Sequence, residues 1–310
     1  MRFSKFLTII SACAALSACG DGGSGSAVVS TPTPTPTPTT PAFTNFASVA
    51  ANTPTLVNGT TKEGTLSVNS LGGIPSANVS GGTDGTGSVN FTVNANRQIT
   101  ALTVTGAQSN VSFDQTSSAA SVFVGTTAIA TALSNSTGSN QAIYIDPYAV
   151  GFNYQSFGAW GTGLVAGSTG KYGAISAGAT TAAASVPTTG TATFRGYAAA
   201  IFTNPNGDAF RYGANAAFSV NFANRSVALS TSGDVVTNIN TNVAYNWTTP
   251  MSGTMTYAAG SNTFSGTLTT STLTGIGTGS FYGPAATELG GTFVLRGAAG
   301  AMVGGFGGKQ

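Results

Sequence analysis

The chain has 310 residues, only 6% of them charged, with ten Lys and Arg against eight Asp and Glu, no histidine and 43 glycines. So sparse and balanced a charge excludes the basic face that nucleic acid or an anionic membrane surface demands. The lack of histidine excludes Ser-His-Asp and Cys-His nucleophilic centres and histidine ligation of zinc or haem.

Residues 1–18 read as a targeting segment. Arg2 and Lys5 form a positive n-region, and Phe6 to Leu16 is an apolar run too short to span a membrane as a mature helix. Leu16-Ser17-Ala18-Cys19 then reads as a lipobox, with lipid attached to the new N-terminal Cys19. An ordinary signal peptide followed by an incidental cysteine is the alternative. Export of this kind points to a Gram-negative bacterium. Cleavage removes Arg2 and Lys5, leaving eight basic and eight acidic residues. It also removes Cys13, so with Cys19 acylated no disulfide forms. Residues 19–41 read as a tether: GDGGSGSAVVS is flexible, and TPTPTPTPTTP favours extended polyproline II at about 3.1 Å per residue, a reach on the order of 60 Å.

From Ala42 onward the pattern is that of an all-β protein, with short runs of Val, Phe, Thr and Tyr between Gly, Asn and Ser clusters. Ser88 to Val93 places Val89, Phe91 and Val93 on one face. Asn94 to Arg97 turns it into Ile99 to Val104. Ser112 to Asp114 and Ala142 to Ile145 are further strands. Ser117 to Ser134 reads as the one helix, apolar at Ala120, Val124 and Ala128. The GGTDGTG run at Gly81 to Gly87 lacks the Lys-Ser/Thr of a phosphate loop and the repeated Asp of a calcium loop, and reads as a flexible hairpin tip. Ser168 to Pro187, small and Gly/Ala-rich, reads as an interdomain linker or a long loop.

The second half reads as hairpins. Thr191 to Phe202 turns at Asn204 to Asp208. Phe218, Val220 and Phe222 share a face, and after a turn at Ala223 to Ser226 the strand continues through Val227 and Leu229. Met251, Gly253, Met255 and Tyr257 share a face, as do Phe264, Gly266 and Leu268 after a turn at Ala259 to Asn262. Gly279 to Tyr282 is extended, Gly283-Pro284 turns the chain, Ala285 to Leu289 suits one helical turn, and Phe293 and Leu295 face one way in a last region ending FGGK. This spacing is enough for a closed barrel of about eight strands, its interior filled by the apolar stripes.

The residues FYGP-AA-x-ELGG-x-F, followed by the terminal GGFGGK, resemble the closing segment of the β-barrel domain of transferrin-binding protein B and its surface-lipoprotein relatives. Thr188 to Gly196 resembles the first barrel strand of that family. Tyr154 to Trp160, YQSFGAW, resembles the YxxxGxW segment closing its handle domain. The resemblance covers residues 185–310 and is thin over 42–150. It implies an all-β fold, a small β-rich handle domain at 42–180 followed by an eight-stranded antiparallel β-barrel at 185–310. It also implies a lipid-anchored protein of the outer membrane and cell surface that binds a ligand without catalysis, alongside an outer-membrane transporter. The implied ligands are a host iron protein, haem, or another solute or protein. Two-lobed members carry two handles and two barrels; a single copy favours a ligand other than transferrin. The alternative is a structural or adhesive surface lipoprotein with no nutrient ligand. An integral outer-membrane barrel sits poorly with a lipobox and tether.

Asp21, Glu63, Asp84, Asp114, Asp146, Asp208, Asp234 and Glu288 are scattered, with no carboxylate pair close in sequence. No enzyme activity, cofactor, metal or nucleic-acid partner is expected. The dense aromatics Tyr144, Tyr148, Phe152, Tyr154, Phe157 and Trp160 suit either a recognition surface or the core of the handle, since Tyr and Trp are common interface anchors. Tyr148, Tyr154, Trp160 and Trp247 are the candidate ligand contacts, and tyrosine can also ligate haem iron.

Overall fold

Two antiparallel sheets account for nearly all of the computed structural model, which describes residues 43–115, 120–124 and 130–310. The signal segment, Cys19 and the tether lie outside the described residues. The chain from Pro41 to Gln310 forms one compact unit. Among the described residues no helix is long and apolar enough to cross a membrane.

The first sheet, the handle, is built from β1 (Thr55–Ser67), β2 (Thr83–Val93), β3 (Ile99–Thr105), β4 (Asn110–Asp114), β5 (Ala120–Val124), β6 (Ala130–Asn135), β7 (Gln141–Ile145), β8 (Gln155–Thr162) and β9 (Thr169–Gly178). Their order across the sheet is β4-β3-β2-β1-β9-β8-β7-β6-β5. Alternate residues of these strands converge on one apolar face, where Val57, Val89, Phe91, Leu102, Val104, Val111, Phe113 and Trp160 pack together.

The second sheet runs β10 (Thr191–Thr203), β11 (Ala209–Asn221), β12 (Ser226–Asn238), β13 (Ala244–Asn246), β14 (Ser252–Thr256), β15 (Thr263–Thr269), β16 (Leu273–Tyr282), β17 (Glu288–Gly297) and β18 (Gly300–Lys309). Pairing of β10 with both β11 and β18, and of β11 with β12, closes eight of them into a barrel. Short β13 lies along the far part of β12. The inward stripes expected from the sequence fill the barrel: Phe194, Phe218, Met255, Phe264, Leu268, Phe281, Phe293, Met302 and Phe306 are buried together. Away from the handle, the outer face of β14 and β15 is hydroxyl-rich, with Thr254, Thr256, Ser265, Thr267 and Thr269 exposed. This polarity is the reverse of an outer-membrane barrel, whose outside is apolar.

Three local expectations are corrected. Ala120–Val124 and Ala130–Asn135, inside the segment read as a helix, are paired antiparallel strands. Val122, Val124 and Thr131 are β-branched and fit a pleated ladder better than a helix; residues 117–119 and 125–129 of that segment lie outside the described residues. The Ser168–Pro187 segment is no linker over its first half. Thr169–Gly178 is a central strand paired on both sides, and its small residues are what a strand buried on both faces requires. The GGTDGTG run is no hairpin tip either, since Thr83 to Gly87 pairs with Gly59 to Glu63 inside β1 and β2.

The handle packs across the outside of the barrel, joined by a second apolar layer that includes Ile143, Ile145, Phe157, Ala159 and Ala174 from the handle and Ala199, Val294, Ala301 and Val303 from the barrel. The terminal GGFGGK explains how closely they approach. Phe306 points into the barrel core, while Gly305 and Gly307 lie on its outer face under β8. A Cβ on Gly305 would sit 2.8 Å from the Phe157 ring, and one on Gly307 would collide with the Gln155 amide. Gly305→Val is expected to lower the unfolding free energy by about 1–3 kcal/mol through overpacking. Gly213→Ala, whose Cβ meets open space, is expected to change it by no more than about 0.5 kcal/mol. Urea unfolding of the two variants checks the pair.

Candidate functional site

Glu288, the first residue of β17, fixes the handle to the barrel at one end. Its buried carboxylate accepts the backbone N–H groups of Asn153 (2.6 Å), Tyr154 (2.9 Å) and Gln155 (3.0 Å), where the handle chain enters β8. Lys309 stands opposite in the β17–β18 register and donates to the Gly151 carbonyl at 2.9 Å. Beside it the Tyr282 hydroxyl meets Ser176 Oγ at 2.8 Å, and burial pushes that phenol up to about 12. Glu63 plays a parallel part inside the handle. It accepts from the backbone N–H groups of Ala107, Gln108 and Ser109, and the Trp160 indole N–H donates to Ser109 Oγ at 2.9 Å.

The unit has two ends. At one, Phe43 packs on Phe46, Phe46 reaches Phe91 and Tyr148, and the Phe46 N–H bonds to the Asn153 carbonyl. The described chain therefore begins beside the Glu288 clamp. β1 starts here and runs 13 residues, roughly 40 Å at 3.3 Å per residue, to the other end. There the loop after β1 meets the barrel turn after β10, the Ile74 N–H bonding to the Gly207 carbonyl at 2.9 Å. The β6–β7, β8–β9 and β12–β13 connections lie at the same end.

Four of the six large apolar side chains exposed among the described residues stand on these far-end loops and strands: Leu71 (94% exposed), Val165, Val243 and Tyr245 (53%). At this end opens a cleft of about 470 Å³ lined by residues of both sheets, among them Leu66, Leu71, Ile74, Leu164, Ile201 and Asn240. This volume lies within the range of ordinary ligand sites. The cleft continues down the seam into two adjoining hollows of about 300 and 350 Å³, between the outer face of β6 and β7 and the outside of β10 to β12.

The aromatic candidates do not form one cluster. Trp160 is buried in the handle core and is also among the residues that line the far-end cleft. Tyr148 is half-buried at the near end, its hydroxyl donating to the Phe46 carbonyl at 3.1 Å and its ring under Arg97 at 5.5 Å; burial raises its phenol above the ordinary value, with Arg97 opposing. Tyr154 is half-buried against Gly283 on the same side. Trp247 stands apart at the far end, stacked edge-on against Phe202 at 4.7 Å, its indole N–H donating to the Thr249 carbonyl. It covers the barrel mouth above a buried set in which the Tyr212 and Thr231 hydroxyls both donate to Asp234. Burial, with Asp234 adding to it, pushes the Tyr212 phenol above its ordinary value. Cys19 lies outside the described residues. The far-end apolar group was missed in sequence because its members sit on three separate chain segments, the β1–β2 and β8–β9 connections and the stretch from Val243 into β13, and only the fold brings these together. The one local signal is a Leu or Val placed among Asn, Ser and Gly of a loop.

Residues 186–310 match the family model for the C-lobe and N-lobe beta barrels of Tf-binding protein B. Among solved structures, the chain is similar to a point variant of transferrin binding protein B from Haemophilus parasuis Hp5, at 14% identity over 83% of this chain and 76% of that one, TM-score 0.41. It is also similar to isotype 1 transferrin binding protein B from serogroup B Neisseria meningitidis, at 13% identity over 73% and 52%, TM-score 0.39. A variant of the same antigen from Actinobacillus pleuropneumoniae H49 aligns at 14% identity over 81% and 98%, TM-score 0.36. No curated protein matches.

Burial holds the Glu288 carboxyl above its ordinary value, while the three N–H donors and Lys309 pull it down. The folded state thus holds this proton more tightly than the unfolded chain does. The group's contribution to stability is then greatest below the unfolded carboxyl pKa and is lost as pH rises through the raised folded value. Glu288→Gln is expected to remove that decline across the mildly acidic range. It is also expected to cost about 1–3 kcal/mol at each pH, by turning an amide N–H toward the backbone donors. Urea midpoints measured as a function of pH for both forms test this.

Proposed function

We propose, proceeding from a barrel of the transferrin-binding protein B type at residues 186–310, that this protein is a lipid-anchored receptor of the outer-membrane surface. In this reading it captures a protein ligand on the end of the molecule farthest from its tether. The observation that carries it is the exposure of Leu71, Val165, Val243 and Tyr245 on three chain segments at that end, with Leu71 also lining the cleft between handle and barrel. Exposed apolar side chains massed at one place mark interaction sites, whereas scattered ones need no explanation. The chain enters at the opposite end beside Phe43, so a spacer at residues 19–41 would present this surface outward from a membrane.

The reading is one of binding without catalysis. The buried carboxylates are engaged in holding the fold: Glu63 and Glu288 on backbone N–H groups, Asp234 on Tyr212 and Thr231. The solved relatives are named for transferrin, and a host iron protein is accordingly the first ligand class to test, with an outer-membrane transporter as the partner that would receive the iron. Trp247 supports the surface from beneath. The near-end Tyr148 and Tyr154 are reserved for a second contact with such a transporter or with haem.

The unit from Pro41 to Gln310, immobilised and exposed to host fluids, is expected to enrich a discrete protein. Leu71→Ser and Tyr245→Ser are each expected to weaken capture by about tenfold, the cost of losing an interface anchor. Because the surface carries so little charge, raising the salt concentration should change the affinity little. Enrichment that survives the two substitutions unchanged would place the contact elsewhere, and an empty eluate would favour a structural or adhesive role. On whole cells, proteolysis within residues 19–41 is expected to release the folded unit into the medium, with Cys19→Ala abolishing its retention in the membrane.

A further inference from the structure

The barrel turn that meets the handle at the far end carries a reactive sequence. In Asn204-Pro205-Asn206-Gly207-Asp208 the Gly207 N–H bonds to the Asn204 carbonyl at 3.1 Å, which leaves Pro205 and Asn206 as the two central residues. The Asn204 side chain braces the turn, accepting the Asp208 N–H at 2.9 Å and donating to the Asp208 carboxylate at 2.8 Å. Asn206 is exposed, and its side-chain amide has no hydrogen-bond partner among the described residues. An Asn-Gly pair leaves the side-chain carbonyl open to attack by the next backbone nitrogen, since glycine has no Cβ to crowd the approach. The chain has one other such pair, Asn58-Gly59. Asn58 is exposed too, but Gly59 lies inside β1, paired with Gly87 on one side and Ala177 on the other.

We propose that Asn206 is a modification site, converted without an enzyme into aspartate and isoaspartate. The Gly207 nitrogen gives up its proton to base and attacks Cγ of Asn206. The Cγ–Nδ2 bond breaks, and the departing nitrogen takes up a proton and leaves as ammonia. Water then opens the resulting five-membered imide. Opening at Cγ gives aspartate, and opening at the main-chain carbonyl gives isoaspartate. Attack requires the peptide to rotate, and a turn held by one backbone bond opens far more readily than a strand paired on both sides. Asn204 cannot react in this way, because Pro205 has no N–H. Isoaspartate lengthens the main chain by one carbon at a place with no slack. The Ile74 N–H bonds to the Gly207 carbonyl at 2.9 Å, and a Cβ on Gly207 would stand 3.1 Å from Gly73 Cα. Either product also adds a carboxylate to a cleft whose lining otherwise holds one charged residue, Asp208. The proposal goes beyond protein capture at the far end and does not depend on what the cleft receives.

The test incubates the unit from Pro41 to Gln310 at mildly alkaline pH, with and without urea, and follows its tryptic fragments by mass spectrometry. Cleavage after Arg195 and Arg211 separates Asn206 from Asn58, which falls in the fragment ending at Lys62. In the folded protein the Asn206 fragment is expected to convert from amide to acid about tenfold faster than the Asn58 fragment, or more. Its rate should rise about tenfold per pH unit, as the ionised fraction of a backbone nitrogen does. In urea the two fragments should convert at similar rates, and Asn206→Ser should leave its own fragment unconverted. In the isoaspartate form, isolated by chromatography, the Ile74 amide should exchange with solvent about tenfold faster than in the native protein, or more. Asn206→Asp adds the charge without lengthening the chain and should keep Ile74 protected. The proposal fails if Asn206 survives in the folded protein while converting in urea, or if folded Asn58 keeps pace with it. It fails equally if the isoaspartate form exchanges Ile74 as the native protein does.

Discussion

The structure depends on how closely strand β8 lies on the barrel. Gln155 and Phe157 of β8 press directly on Gly305 and Gly307, at positions where any side chain would hold the two sheets apart. The approach puts the Glu288 carboxylate out of water, a cost of several kcal/mol for an isolated ion. Three backbone N–H donors at the start of β8 offset part of that cost through charge-assisted bonds, and burial still leaves the carboxyl above its ordinary value. The steric and electrostatic requirements are met by neighbouring residues, and neither works without the other. Without the glycines the donors stand too far away; without the carboxylate the buried Gln155 N–H loses its acceptor.

From this contact follows where binding can occur. The barrel lumen is filled by aromatic and methionine side chains, and the handle has its own dry core around Phe91, Phe113 and Trp160. Recognition is left to the seam and the loops. The few charges are mostly occupied too: Lys62 pairs with Asp84, Asp146 caps the turn at Tyr148 and Ala149, and Asp208 accepts from Asn204. A surface with this inventory recognises a partner by shape and apolar contact, and electrostatic steering contributes little.

The barrel was legible in the sequence because each of its strands has a core on one side and water or a small-residue seam on the other. Phe218-x-Val220-x-Phe222 and Met251-x-Gly253-x-Met255 therefore alternate cleanly, and Asn, Gly and Pro mark the turns. The closing FYGP, ELGG and GGFGGK residues were legible as a signature, and the structure gives their physical content in Glu288, Gly305, Gly307 and Phe306. Strand β9 was not legible. It is buried on both faces, so Gly173, Ala174, Ser176 and Ala177 lose the alternation that marks a strand, and their smallness looks like that of a linker. The hairpin of β5 and β6 failed for a related reason, its Ala and Ser content fitting helix and strand alike. The candidate site was the least legible part. Tyr148, Tyr154 and Trp160 drew attention as aromatics, yet density of aromatics measures core as well as contact, and Trp160 packs in the handle core while lining the cleft. Leu71, on a loop, and Tyr245, on β13, are unremarkable alone and acquire meaning only at the end of the molecule they share.

The seam has a further geometric consequence. A barrel is convex, and a sheet laid on it can touch along only a narrow band of strands. Here the band is β8 and β9 over β17 and β18, and it is occupied by residues small enough to bring the backbones together. On the flank where β6 and β7 diverge from β10, β11 and β12, a wedge of space is unavoidable. Its filling is a matter of sequence. Large side chains at 130, 132, 199 and 213 would close it and add apolar burial worth about 25 cal/mol for each Å² covered. The chain instead places Ala130, Ala132, Ala199 and Gly213 there. Small residues there leave the close approach of the two sheets to β8, where Gly305 and Gly307 of β18 bring the backbones together.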